Sequence, residues 1–354
     1  MGKDLDAIEV HGYAAKDTTG QLVPFKFTCK QPSPEDVAFK VLYCGICHSD
    51  LHQIRNEWQN AKYPMVPGHE VIGTVTDVGS EVTKFKPGDT VGVGCMVMSC
   101  RNCDSCEKGL EQFCDKVVWT YNSELPDGTT TQGGYSSHIV ANENYVLRIP
   151  DNLPKDAAAP LLCAGITVWS PMQYFGLNVK DAKFGVVGLG GLGHMAVKFA
   201  KAFGMHVTVF STSPNKEKEA RNILGADDFV VSKNEDAMNA KAKSIDFIID
   251  TIAAKHELGP YLTTLKTNGK LCLVGMPEHA LEVSPVQLVT GRKLVAGSLI
   301  GGIQETAEML EFCGKNNISC MVETVPVSEC NTAMERLAKN DVKYRFVLDM
   351  KNIA

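Results

Sequence analysis

Cys100, Cys103, Cys106 and Cys114 form the tightest cluster of metal-binding side chains in the sequence, at C-x2-C-x2-C-x7-C spacing. As thiolates they can converge on one tetrahedral zinc, and a closed four-sulfur shell leaves that metal no position for a substrate. The lobe therefore reads as a structural staple. Thiolates alone do not name the metal, since an iron–sulfur cluster uses the same ligands. A set of disulfides suits the chain less well: the cysteine count is an odd 13, and the opening MGKDLDAIEV lacks the apolar core of a secretory signal. A staple of this kind also points to a second, catalytic zinc assembled from scattered Cys and His.

Three residues with the right chemistry stand outside the lobe: Cys47 in Cys44-Gly-Ile-Cys47-His-Ser49-Asp50, His69 in Pro67-Gly-His69-Glu70, and Cys163 in Leu161-Leu-Cys163-Ala-Gly165. Two thiolates, one imidazole and an exchangeable fourth position make a known catalytic zinc arrangement. Taken singly, each is as readily a buried residue of the core, and Cys44, Cys95, His48 and His52 offer the same donor atoms.

A different chemistry is written in Phe184-Gly-Val-Val-Gly188-Leu189-Gly190-Gly191-Leu192-Gly193. This GxGxxG follows a hydrophobic run and opens a segment in which Leu192, Met195, Phe199 and Phe203 recur at three- and four-residue steps, a helical period. Gly188 makes the tight turn and Gly190 admits a pyrophosphate. Gly193 lets the helix pack on the strand, and the helix N-terminus faces the anion. The next strand runs into Ser211-Thr212-Ser213 with Lys216 beyond, and no acid stands at its tip. Hydroxyls and a cation suit the 2′-phosphate of NADP(H), which a carboxylate would repel. The other reading of Ser211 to Ser213 is an ordinary turn and helix cap. Thr251, Val274, Gly275 and Ser298, at the ends of later strands, are further candidate cofactor contacts.

These residues need two kinds of scaffold. Residues 1 to about 160 read as short strands between Gly, Pro and Asp, including Val37–Tyr43, Gly73–Val78 and Thr90–Val93, a β-rich unit. From there six strand candidates alternate with helical pattern: Phe184–Val187, His206–Phe210, Phe229–Val231, Asp246–Thr251, Lys270–Val274 and Leu294–Leu299. Six parallel strands make a doubly wound dinucleotide-binding sheet. Helix Glu305–Asn316 and strand Tyr344–Asp349 are too little for a third domain and return to the first. The expected α/β organisation is a catalytic domain of residues 1–160 and 302–354 interrupted by a nucleotide domain of residues 161–301.

Bulk properties narrow the class. Net charge is −6, which gives no electrostatic footprint for nucleic acid. The run Ala157 to Trp169 is too short to cross a membrane. Asp6 stands where a myristoylation pattern wants Ser or Thr. The expectation is a soluble cytoplasmic enzyme with no membrane partner.

Taken together, the Cys44-to-Gln53 segment, Gly68-His69-Glu70, the four-cysteine lobe, Leu161-Leu-Cys-Ala-Gly-Ile-Thr167, the Ser-Thr-Ser tip and Asp341-Val-Lys-Tyr-Arg-Phe346 resemble the zinc-dependent medium-chain alcohol dehydrogenases. Within that superfamily the chain is similar to the plant cinnamyl alcohol dehydrogenase group, over nearly its whole length. The resemblance implies a GroES-like catalytic domain and a Rossmann domain. It implies Cys47, His69 and Cys163 as ligands of the catalytic zinc, Glu70 as an alternating ligand, and Asp50 as the carboxylate that holds His69. Ser49 and His52 would relay the proton between substrate oxygen and solvent, and Thr167 would line the nicotinamide. Gln53, Trp58, Asn60, Cys95, Trp119, Met276, Leu299 and Ile300 would form the substrate wall, with Trp119 either stacking on a ring or serving as a core aromatic. The resemblance also implies a homodimer, paired through the strand around Leu294–Leu299.

The implied reaction is reversible reduction of an aromatic or allylic aldehyde to the primary alcohol, with hydride from NADPH and a zinc-polarised carbonyl. Members dedicated to lignin monomers usually carry Phe where this chain has Leu299 and Thr where it has Ser49. That departure brings terpenoid aldehydes, alkaloid iminium ions and conjugated alkenes into the range of substrates. A non-catalytic, cofactor-binding protein is a third reading, set against the intact set of site residues.

Overall fold

The structure is a computed structural model that describes residues 7–277 and 279–353. The myristoylation reading at Asp6 lies outside the described residues, as do most of the N-terminal residues read for a signal. Packing divides the chain into two units: Met1–Cys163 with Gly301–Ala354, and Ala164–Ile300. This boundary keeps Cys163 in the unit that carries Cys47 and His69.

In the first unit Asp36–Gly45 is the central strand. Val37, Phe39 and Val41 occupy alternate positions and are all buried on the core face, while on the other face Lys40 is exposed and Ala38 is covered. It pairs antiparallel with Val71–Val78, with His138–Asn142 and, at its far end, with Arg345–Asp349. The sheet runs Val322–Pro326, Arg345–Asp349, Asp36–Gly45, Val71–Val78, Thr90–Val93, Leu147–Arg148. One pair of neighbours in that order, Arg345–Asp349 beside Asp36–Gly45, comes from opposite ends of the chain, on either side of the insertion. Phe346 and Leu348 from the late segment join Phe39, Val71 and Val91 in one apolar cluster.

The second unit is a six-stranded parallel sheet in the order Asp228–Val231, His206–Ser211, Lys183–Val187, Ile245–Asp250, Leu265–Leu273, Leu294–Gly297. By sequence that order is 3-2-1-4-5-6, the doubly wound arrangement that places a ligand crevice at the carboxyl ends of the strands. Phe184, Val186, Phe210 and Ile248 are fully buried, reflecting helices on both faces. Helix Gly191–Ala202 turns Met195, Ala196, Phe199 and Ala200 inward. All six expected strands are present. The last ends at Gly297 rather than Leu299: Ser298 still donates to the Leu273 carbonyl, but Ile300 takes a positive φ of 36°. Helix Ile303–Asn316 starts two residues earlier than expected, and its first amide donates to Glu111, distant in sequence. Among the described residues no helix is long and apolar enough to cross a membrane.

Candidate active site

Helix His48–Ile54 begins at Cys47, whose amide donates to Asp50 Oδ2 at 2.9 Å, so the carboxylate folds back over its own helix start. Asp50 is fully buried, and its other oxygen accepts from the Gly68 amide and from His69 Nδ1, each at 3.1 Å. A carboxylate only accepts, so Nδ1 carries the hydrogen and the lone pair of Nε2 is turned the other way. Nε2 lies 3.3 Å from Cys163 Sγ, and Cys163 Sγ is 4.0 Å from Cys47 Sγ. Ligands at about 2.3 Å (sulfur) and about 2.0 Å (nitrogen) from a tetrahedral zinc stand roughly 3.5–3.8 Å apart. The three atoms fit one ion. Burial opposes charge on His69, but Asp50 outweighs it and raises the imidazole well above its ordinary range. Cys163 hydrogen-bonds Cys47, which holds the Cys47 thiol well below its ordinary value against the cost of burial, with help from the Arg345 cation.

Glu70 completes the group, with one ligand atom of each of Cys47, His69, Glu70 and Cys163 within 4.8 Å of the others. One Glu70 oxygen is ion-paired with Arg345, and both side chains are buried. The other, Oε2, has no hydrogen-bond partner. The carboxylate occupies the space beside Gly45, where a Cβ would stand 1.9 Å from Oε2; no larger residue fits. An orphaned carboxylate oxygen beside two thiols and an imidazole is a donor set short of its cation.

The four-cysteine lobe is a second such site: Cys100, Cys103, Cys106 and Cys114 converge within the same limit. Amides of Cys100 and Lys116 donate to Cys114 Sγ at 3.5 and 3.3 Å, as thiolates require. The Asn102 amide draws the Cys100 thiol down to about 6. Ser99 Oγ links Cys106 Sγ at 3.1 Å to the Tyr145 hydroxyl at 2.6 Å.

Of the relay candidates, Ser49 Oγ is 3.6 Å from Cys47 Sγ. His52 Nδ1 is held by the Glu57 carboxylate, and its ring lies 5.5 Å from that of Trp58. Among the substrate candidates of this unit, Gln53 is buried with Oε1 unpartnered, and Trp58 and Asn60 are exposed. Trp119 pairs across strands with Met96, and Thr120 beside it donates to the Cys95 carbonyl at 3.0 Å. Cys95 shares a hydrogen bond with Cys163, which lowers its thiol and places it at the edge of the metal group.

In the second unit Gly188 takes φ +87°, and a Cβ on Gly193 would stand 2.1 Å from the Gly188 carbonyl. The turn closes onto its helix only because both are glycine. Thr251 Oγ1 donates to the Val187 carbonyl at 2.8 Å, and the Val274 and Gly275 amides donate to the Asp250 carbonyl. Thr167 is buried in helix Ala164–Tyr174. Ser211 Oγ accepts the Ser213 amide at 3.2 Å, and Thr212 between them is exposed. Lys216 reaches back to the Gly-rich turn, where Nζ donates to the Leu189 carbonyl at 2.7 Å, and burial lowers its pKa. Met276 and Leu299 are exposed on the strand ends that carry Val274 and Ser298, and Ile300 is buried.

Sequence reasoning passed over three residues of the metal group. Arg345 pairs with Glu70. Tyr121 stacks on His69 at 5.9 Å, and the Tyr135 hydroxyl lies 3.5 Å from Asp50 Oδ2. Only Arg345 lay in a segment the sequence singled out, and nothing there announced its partner.

Comparison with known proteins gives matches to two family profiles. Residues 33–151 match the alcohol dehydrogenase GroES-like domain and residues 191–315 the zinc-binding dehydrogenase. The chain is 58% identical over 345 residues to an 8-hydroxygeraniol dehydrogenase of Catharanthus roseus, covering 98% of this chain and 96% of that one. A solved cinnamyl alcohol dehydrogenase from Sorghum bicolor superposes with a TM-score of 0.96 at 52% identity, covering 98% of this chain and 99% of that one. A Helicobacter pylori enzyme solved in complex with NADP(H) gives a TM-score of 0.92 at 42% identity, with 98% and 100% covered.

Proposed function

Because this chain belongs to the GroES-like, zinc-binding alcohol dehydrogenases, we propose that it interconverts an allylic or aromatic aldehyde and its primary alcohol with NADP(H). The observation that carries the reading is the buried Cys47–His69–Cys163 group with Asp50 behind the imidazole. When bound, zinc supplies Lewis acidity to the carbonyl oxygen and the nicotinamide supplies or accepts hydride at carbon. The protein's own part is positional. Asp50 fixes the tautomer of His69 and ties Cys47 and Gly68 to the same carboxylate. Ser49, beside Cys47, can donate to or accept from the substrate oxygen. His52, whose ring Glu57 holds, is suited to pass that proton to solvent because an imidazole can both accept and donate a hydrogen.

NADP(H) as the dinucleotide is supported by the hydroxyl-rich, acid-free tip at Ser211 to Ser213 with Lys216 beside it, and by the NADP(H) complex of the H. pylori relative. The 8-hydroxygeraniol dehydrogenase relative and the aliphatic Leu299 favour acyclic allylic aldehydes over hydroxycinnamaldehydes within that class. A cytoplasmic setting is supported by the 13 cysteines, none of which is paired in a disulfide. A homodimer is supported by the edge strand Leu294–Gly297, where Leu294 is exposed, and by Val286 and Val289, both exposed on helix Pro285–Val289.

The test is NADPH oxidation by zinc-replete protein with geranial and with coniferaldehyde, using NADPH deuterated at C4. Saturable turnover with deuterium on the former carbonyl carbon is expected, with geranial the better substrate. Deuterium on an alkene carbon would replace this reading with conjugate reduction.

A further inference from the structure

Asp250, fully buried at the end of strand Ile245–Asp250, has a partner that plays no part in the chemistry above. Its Oδ2 lies 2.7 Å from His256 Nε2, while Oδ1 accepts the Ile252 amide at 3.0 Å. The other ring nitrogen, His256 Nδ1, lies 2.8 Å from the Ala254 carbonyl oxygen. A carbonyl only accepts, and so does a carboxylate. Both ring nitrogens must therefore carry hydrogen, and an imidazole in that state is an imidazolium. One proton closes the segment that leaves the strand.

That segment walls the Gly-rich turn. Thr251 Oγ1 bonds the Val187 carbonyl at 2.8 Å and stands 2.8 Å from where a Cβ on Gly188 would be. The Ile252 carbonyl would stand 2.2 Å from a Cβ on Gly275. Thr251 and Ile252 thus fix the spacing between two strand ends of the nucleotide crevice.

We infer that His256 is a positioning residue for the nicotinamide cofactor: its imidazolium, bridging Asp250 and the Ala254 carbonyl, holds Thr251 and Ile252 against the Gly188 turn, and loss of its proton weakens NADP(H) binding. This rests on the reading of the crevice as an NADP(H) site. The titratable groups that face the ring are Asp250 and, on helix Gly259–Thr264, Tyr261, whose ring is 6.2 Å away. Lys255 and Glu257 flank His256 in sequence and are exposed. The hydrogen bond to Asp250 raises the imidazole above its ordinary value, against a smaller opposing effect of burial. A raised value means the bridge is complete below about pH 6.5, the unperturbed figure, and is lost as pH climbs through the raised one.

The experiment measures NADPH dissociation constants from nicotinamide fluorescence between pH 6.5 and 9.5, on zinc-loaded wild type and His256→Gln. The glutamine amide donates at every pH and does not titrate. A charge-assisted hydrogen bond corresponds to roughly tenfold in affinity, so wild type should bind about tenfold tighter at the low end and within about twofold at the high end. Parallel profiles would overturn the inference. A second measurement needs no variant: the His256 ring is titrated by NMR in histidine-labelled wild type with and without NADPH. Linkage requires cofactor to raise the pH at which the ring titrates, and an unchanged midpoint would also overturn it. Failure of wild type to bind NADPH at any pH would remove the cofactor reading and this inference with it, a result distinct from binding without the pH difference.

Discussion

Arg345 supports the metal group from a distant part of the sequence, through Glu70, the neighbour of His69. It neutralises Glu70 inside a region closed to water, and Glu70 in turn fills the space that glycine leaves at position 45. Replacing Arg345 by Leu strands a carboxylate in the core. The expected cost is about 3–5 kcal/mol, read as a lowered denaturation midpoint at unchanged slope. A wild-type midpoint would mean that Glu70 is not ionised there. The pair also shows where sequence reading stops at this scale. Cys47, His69 and Cys163 each sit in a short motif that a reader can weigh. Arg345 and Glu70 are 275 residues apart, and neither carries a local sign of the other. Tyr121 is equally silent: an aromatic that stacks on a ligand imidazole has the same sequence context as one that packs in a core.

At the scale of elements, strands and helices followed their patterns while the caps did not. Helix Ile303–Asn316 has Gly302 at its N-cap, with no side chain to offer. Glu111, from the four-cysteine lobe, accepts the Ile303 amide at 3.1 Å instead and brings negative charge to the positive end of the helix. Glu111→Ala should destabilise the unit by about 0.5–2 kcal/mol, the usual loss for a cap. Native-state hydrogen exchange should place the lost protection at the helix start, and uniform loss across the unit would contradict a capping role. Lys216 gives the same lesson. Its charge and position after the second strand were legible, but its bond to the Leu189 carbonyl depends on a glycine-rich turn whose path no periodicity describes. The strand core was readable because burial imposes a period; caps and turn contacts impose none.

Across the whole molecule, the second unit presents a parallel sheet whose two outer strands are Asp228–Val231 and Leu294–Gly297. If two copies join at Leu294–Gly297, Leu294→Lys should shift the protein from dimer to monomer by sedimentation at micromolar concentration, with the metal content of each chain unchanged. A wild-type protein that already sediments as a monomer would remove the proposed dimer. The two units differ in a way that composition does not reveal. Ala164–Ile300 is one continuous stretch, whereas the first unit is assembled from segments on both sides of it.

That discontinuity sets an order of birth. A ribosome delivers Cys47, His69, Glu70 and Cys163 early, but strand Arg345–Asp349, which seals one end of the central strand beside them, emerges only after the whole inserted unit has been made. Until then the newborn chain exposes an open sheet edge, an unpaired Glu70 and reactive thiols. The inserted unit, needing nothing from the tail, can fold first. Nascent chains of this protein should therefore depend on chaperones for the length of one domain's translation, and the metal centre should mature last.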